Sequence, residues 1–391
     1  MTSSRRVAVT GVGVLNACGV GRDEFWSGLL APQPTGERRI TDFDPIEFFG
    51  NPKEAKRTDR VAQIALAAAD EAVTQAGAID VDPDRAGVLF GTGVGGLETL
   101  EAQVIVRYEK GERRVSPFLV PMMMANSAGA ALSMRYGYRG PCETTATACA
   151  AATHAIGNAA RLITTGRCDV VLAGGSEASM TITAIAGFNN MTALSSSGTS
   201  RPFDAERDGF VMSEGAAVLV LEDWSMAEAR GATILAEVLG SASNADAHHI
   251  TAPSPGGVGA VKCMKLALDD AGVEPPDIVQ INAHGTSTPL NDAAEAEAIA
   301  TLFGTPGPPV TSTKGVTGHA LGAAGALEAA AVVLSMKHQL IPPTDGTKAV
   351  DPALPSIDLV VKEPRPWIPG PTLSNSFGFG GHNGCLVLGP A

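Results

Sequence analysis

One pattern occurs twice, half a chain apart, and it constrains the fold more than any other feature. Residues 64–93 read IALAAADEAVTQAGAIDVDPDRAGVLFGTG: an alanine-rich helical run, an Ala-Gly stop, a Pro-Asp turn, an apolar strand and a Gly-Thr end. Residues 265–287, KLALDDAGVEPPDIVQINAHGTS, repeat that order. The stops Ala76-Gly77 and Ala271-Gly272 lie 195 positions apart in a chain of 391. Spacing at half length predicts a duplication giving two similar halves. Chance similarity of one short match is the alternative. No low-complexity segment or long linker parts the halves, so one continuous interface is expected between 1–250 and 251–391.

Short apolar runs at 6–13, 86–93, 169–175, 216–223, 277–285 and 384–389 predict strands. Alanine-rich runs at 58–77, 150–166, 256–272 and 325–339 predict helices, and glycine closes the first three. Such alternation predicts an α/β protein with buried sheets. Hydrophobic residues at 45% against 18% charged allow a large core. Aromatics are only 5%, so small side chains must carry much of the packing.

The formal charge of −13 argues against generic nucleic-acid binding, which needs a basic footprint. The six cysteines (Cys18, Cys142, Cys149, Cys168, Cys263, Cys385) form no CxxC pair, so neither a zinc site nor a disulfide framework is expected. Reduced thiols and a cytoplasmic setting are the expectation. The N-terminus lacks a cleavage pattern. The longest apolar stretch, 320–336, contains Glu328 and two glycines, and no membrane span is expected.

Cys149 lies in TTATACAAATHAIGNAARLI (144–163). A free cysteine is often a small inert core residue. This one opens a helical run, where orphan N–H groups and the helix dipole favour a thiolate. The dipole is worth up to ~2 kcal/mol, which leaves a thiol of ordinary pKa near 8.5 poised rather than ionised. The flanking alanines leave room for a bulky substrate. His284 sits at a strand end before a glycine turn, and His319 follows a glycine-rich loop with Lys314 five residues earlier. A lone loop histidine is commonly structural, but catalytic groups gather on loops at strand ends. GTGVGG (91–96) matches GxGxxG after a strand but lacks a convincing acidic ribose partner, so nucleotide binding is not expected there. In SNSFGFGGHNG (374–384) aromatics alternate with glycine, which suits either flexible packing or a gate that also donates backbone N–H groups.

Together these segments resemble the β-ketoacyl-[acyl-carrier-protein] synthases of the type II elongation group. The motifs are TATACAAA around Cys149, NAHGTSTP around His284, STKGVTGH with Lys314 and His319, NSFGFGGHN, and SRPFDAERDGFVMSEGA (200–216). The resemblance covers essentially the whole chain. It implies a thiolase-like fold with a five-layered αβαβα core from two duplicated halves, the nucleophile in the first and the histidines in the second. Cys149 matches the nucleophile that receives an acyl group as a thioester. His284 and His319 match the histidines that promote malonyl decarboxylation and stabilise the enolate. The N–H groups of Cys149 and Phe379 match an oxyanion hole, Lys314 an electrostatic support, and Glu328 and Asp292 structural supports. Thr286 and Thr288 match hydroxyls that bind the phosphopantetheine arm, with Phe377 and Phe379 beside them, Phe379 as a gate. No metal and no cofactor beyond the carrier's arm is implied.

The implied partners are an acyl-carrier protein and a second subunit, as a homodimer or a heterodimer with a chain-length factor. Carrier proteins are acidic, so a basic cluster is expected to dock one. Candidates are Lys53, Lys56, Arg57 and Arg60, or Lys110, Arg113 and Arg114; a plain solvated charge run is the alternative. Acyl-pocket depth is expected to depend on distant segments and on the partner subunit, with residues 117–130 as a candidate lining. The chain departs from the family at CAAA, Ser213, Gly315 and LND (290–292). None removes a catalytic group, and together they suit a dedicated natural-product ketosynthase. A chain-length factor would lack the cysteine. Thiolases would carry a second one, for which Cys385 is a poor match, and priming-type synthases pair histidine with asparagine.

Overall fold

The computed structural model describes residues 5–34 and 38–391. Its first five major strands are β1 (Val7–Asn16), β2 (Ala86–Gly91), β3 (Cys142–Thr145), β4 (Val170–Glu177) and β5 (Gly215–Asp223). Six more follow: β6 (Ala236–Ala245), β7 (Gln280–Asn282), β8 (Pro309–Thr311), β9 (Asp358–Leu359), β10 (Thr372–Gly378) and β11 (His382–Gly389). The hydrogen-bonded order is β9-β8-β7-β10-β11-β6-β1-β5-β4-β2-β3.

That order contains one arrangement twice. With the short edge strand β9 left aside, each half runs third, second, fourth, fifth, first: β3-β2-β4-β5-β1 and β8-β7-β10-β11-β6. In both, the first two pairings are parallel and the last two antiparallel. The two first strands meet antiparallel, with Ala8 opposite Glu237 and Val9 opposite Ala236. The duplication expected from the Ala-Gly stops is therefore present in strand order and direction. The second set begins at Ala236, ahead of the expected division after residue 250. No glycine or proline cluster marks that strand's start, because the chain leaves β5 through the short helix Trp224–Ala229.

The four expected helices form: α1 (Arg60–Ala76), α2 (Ala151–Thr164), α3 (Val258–Ala271) and α4 (Ala324–His338). α1 covers the outer face of the first sheet and α3 that of the second. α2 and α4 pack together between the two sheets, each touching strands of both. The result is five layers, αβαβα. Small residues permit it: a Cβ on Gly13 would meet the Ala68 carbonyl oxygen at 1.8 Å, so β1 lies directly under α1. α4 is buried from Ala324 through Met336 on every side, as a helix between two apolar faces must be. It contains most of the apolar stretch at 320–336. Among the described residues no helix is long and apolar enough to cross a membrane.

Two local expectations change. The strand expected over 277–285 ends at Asn282, and residues 283–288 leave the sheet as a loop. The glycine-rich tail is a hairpin, β10 turning into β11 through Phe379–Gly381. Cross-strand pairing from Thr372↔Leu388 to Gly378↔His382 overrides the weak strand propensity of Ser, Asn and Gly.

Candidate active site

The inner ends of the two central helices and of the strands beside them converge on one cavity of about 470 Å³. Cys149 lies in the tight turn Ala148–Ala150 that opens α2, with Ala148 at φ 49°. His319 leads into the turn Leu321–Ala323 that opens α4. His284 follows β7. Phe377 and Phe379 come from the β10–β11 hairpin. All five line the cavity.

The hairpin turn presses on the nucleophile. A Cβ on Gly378 would lie 3.0 Å from the Cys149 nitrogen, so any larger residue would push on the nucleophile's turn. The Phe379 N–H favours the Cys149 thiolate. His319 Nε2 is 3.0 Å from that sulfur. The His284 and His319 rings stand edge to face, 5.4 Å apart at 84°. Phe377 lies edge-on to His284 at 5.9 Å, and Phe210 edge-on to His319 at 5.2 Å.

Lys314 is buried and all three of its ammonium hydrogens have acceptors. They reach the Glu328 carboxylate, the His284 carbonyl oxygen at 2.6 Å and His284 Nδ1 at 3.3 Å. An ammonium cannot accept, so His284 Nδ1 is the acceptor and Nε2 carries the proton. His319 Nδ1 has no partner among the described residues. A buried N–H left without an acceptor is costly, so the neutral His319 ring is assigned its proton on Nε2, facing Cys149. Both imidazoles can thus direct an N–H into the cavity.

Burial and then the Lys314 charge hold both histidines well below the usual imidazole range. They are neutral donors at pH 7. Burial pushes the Cys149 thiol up to about 11, against the pull of Lys314 and the Phe379 N–H. Burial also lifts Glu328 to about 7 despite Lys314. Its other oxygen accepts from Ser376 Oγ at 3.5 Å, and Ser376 in turn meets Thr153 Oγ1 at 2.7 Å.

Thr286 and Thr288 line the cavity with their hydroxyls 2.9 Å apart. Asp292 is buried on the following helix, Pro289–Phe303, where it accepts the Phe203 N–H at 2.8 Å and so braces the 200–216 segment. That segment reaches the site through a main-chain bond from His319 to Val211, 2.7 Å.

Not every expected residue joins the site. Arg60 turns inward and binds the buried Glu214 carboxylate with two nitrogens, at 2.7 and 2.8 Å, because it is the first residue of α1 rather than part of a surface run. It is not free for docking. Lys53, Lys56 and Arg57 stay exposed, with Arg57 stacked on Phe118 at 4.5 Å. Residues 117–130 do not line the cavity of this chain. Phe118, Val120 and Met124 are exposed there instead.

One close residue was missed in the sequence. Glu295 accepts the His284 N–H at 2.8 Å and the Gly285 N–H at 2.7 Å, fixing the His284 loop. The available clue was Asp292 and Glu295 on one helix face with Ile299, charges inside an apolar stripe.

Two central helix ends carrying a cysteine and a histidine, in a duplicated five-layer core, define a condensing enzyme of the thiolase-like class. Residues 32–227 match the beta-ketoacyl synthase N-terminal domain and residues 235–348 its C-terminal domain. The chain belongs to the β-ketoacyl synthase family and is a condensing acyltransferase. It is 42% identical over 410 residues to 3-oxoacyl-[acyl-carrier-protein] synthase 2 of Synechocystis sp., covering 98% of each chain. Among solved structures it resembles the ishigamide ketosynthase/chain length factor, with a TM-score of 0.92 and 33% identity over 100% of both chains. It also resembles a type II PKS acyl-carrier protein in complex with its ketosynthase bound to the hexaketide, with a TM-score of 0.90, 31% identity and 100% coverage of both.

Proposed function

We propose that the chain performs decarboxylative Claisen condensation of a Cys149-bound acyl group with malonyl-acyl-carrier protein. The observation that carries this is the pair of neutral imidazoles facing one buried thiol, with every Lys314 hydrogen committed behind them. Cys149 attacks the acyl thioester while His319 and the Phe379 N–H stabilise the developing thiolate. The thiol proton leaves with the carrier's thiol. Malonyl thioester then loses carbon dioxide, and its enolate oxygen accepts the Nε2–H of His284 and of His319. The enolate carbon attacks the acyl-Cys149 carbonyl, whose oxyanion meets the N–H groups of Cys149 and Phe379. Collapse expels the Cys149 thiolate, which regains a proton from solvent. No resident cofactor takes part, and Thr286 and Thr288 hold the carrier's arm.

Acylation tests this directly. Purified protein is mixed with acyl-carrier proteins bearing several chain lengths, and Cys149 acylation is read by intact mass. Folded protein that takes no acyl group from any carrier would sink the proposal.

A carrier docks on the exposed Lys53, Lys56 and Arg57, beside Phe118 and the Lys110–Arg114 segment. Reversing Lys56 and Arg57 to Glu should raise KM for the carrier substrate about 10-fold and leave kcat nearly unchanged. An unchanged KM removes this surface. The apolar side chains Leu100, Val104, Ile105, Phe118, Val120 and Met124 are exposed on this chain and suit coverage by a second subunit. That subunit is a second copy or a chain-length factor, as in the ishigamide pair. The free cysteines suit a cytoplasmic enzyme.

A further inference from the structure

The GTGVGG loop (91–96) reaches the cavity through Gly93 and Val94. It follows β2, and the His284 loop follows β7, its counterpart in the duplicated second half. The loop is held by Glu177, the last residue of β4, which is fully buried. One Glu177 oxygen accepts the Gly93 N–H at 2.6 Å and the Gly322 N–H at 3.1 Å. The other accepts the Ser179 hydroxyl. Gly322 lies three residues after His319, beside Leu321, a cavity residue at φ 43°. The fit is tight on both sides. A Cβ on Gly93 would meet the carboxylate at 2.7 Å, and a Cβ on Gly322 would meet the Gly93 nitrogen at 2.0 Å.

We propose that Glu177 is a positioning residue for acylation of Cys149: it clasps the Gly93–Val94 loop to the His319–Gly322 segment. These two segments come from different halves, and together they form the cavity wall beside the nucleophile. Of the four glycines in 91–96, Gly93 serves this clasp, while Gly91 lies against the start of α2 and Gly95 and Gly96 against residues 122–125. The role rests on reach rather than on charge. Glu177 has a second, opposing effect, because its negative charge disfavours the Cys149 thiolate.

Two variants of the full chain separate reach from charge. Glu177→Asp keeps the charge but is one methylene too short to bridge both N–H groups. Glu177→Gln keeps the length, can direct its oxygen at Gly93 and Gly322 and its amide at Ser179, and drops the charge. Acyl loading is read by intact mass, and Cys149 alkylation by iodoacetamide is followed against pH. Glu177→Asp should load acyl groups about 10-fold or more slowly, with its alkylation midpoint unmoved. Glu177→Gln should load within a few-fold of wild type, with its midpoint moved to lower pH. If Glu177→Asp does not fold, Gly93→Ala presses on the same clasp with the carboxylate in place and should show the same loss. Wild-type loading in Glu177→Asp, or in Gly93→Ala when it replaces that variant, overturns the proposal. So does a loss in Glu177→Gln as large as in Glu177→Asp. The inference rests on the proposed acylation of Cys149. Wild-type protein that never loads would defeat that reading, whereas loading by every variant would defeat only this one.

Discussion

Replacing Cys149 with Gln should abolish condensation, by more than about 10⁴-fold, while malonyl-carrier decarboxylation persists. The two activities use different groups. Condensation needs a sulfur to carry the acyl chain. Decarboxylation needs only the two Nε2–H donors, and neither depends on the sulfur for position. His284 is held by Lys314 and Glu295. His319 is held by main-chain bonds with Val211 and Ser213, 2.7 and 3.1 Å. The variant's decarboxylase rate should also stay flat between pH 8 and 6. Burial and Lys314 lower both histidines, so protonation that would spoil them as neutral donors falls below that window. Carbon dioxide release and β-ketoacyl product, measured on the same sample, decide the matter. Retained condensation would refute Cys149 as nucleophile.

Replacing Lys314 with Met should damage both stability and chemistry. The ammonium is buried against a buried carboxylate, and removing one partner of such a pair costs about 3–5 kcal/mol. The loss should depend on pH with a definite sign. Glu328 already stands near 7, and losing its cation raises it further. A carboxyl whose folded pKa lies above its unfolded value binds its proton more tightly in the folded state. The variant should therefore be most stable in acid and lose stability as pH rises from the ordinary carboxylate value of 4.5 through the raised value of Glu328, above about 7. Decarboxylation should fall by about 10²–10³-fold, because His284 Nδ1 loses the donor that fixes its tautomer. Adding Glu328→Gln should restore much of the stability and remove the pH slope without restoring activity. Calorimetry over that pH range, with decarboxylation assays on both variants, checks each part. Wild-type decarboxylation in the Lys314→Met protein would end the tautomer argument.

The duplication and the central helices were legible because they rest on local signals. Ala-Gly stops and alanine-rich runs mark α1 to α4 within two residues at each end. Strands β3, β7 and β8 were hidden or overlong in the sequence, since each has only three or four residues and gains its partners from afar. Cys149, His284, His319, Lys314 and Glu328 could be named from motifs, and the fold brings them together. What stayed hidden was direction. Arg60 reads as part of a basic run with Lys53, Lys56 and Arg57, and only the start of α1 turns it toward Glu214. Glu295 and Glu177 read as ordinary acids, and only burial against backbone N–H groups distinguishes them.

The depth at which Cys149 sits has a consequence for its survival. Peroxide and other oxidants attack the thiolate, at a rate set by how much of it is present and how open it lies. A buried sulfur held near 11 offers little of either at neutral pH. Carbon chemistry begins only when a thioester is delivered against it. Between turnovers the residue on which the enzyme depends remains a reduced, shielded thiol, a step removed from sulfenic acid.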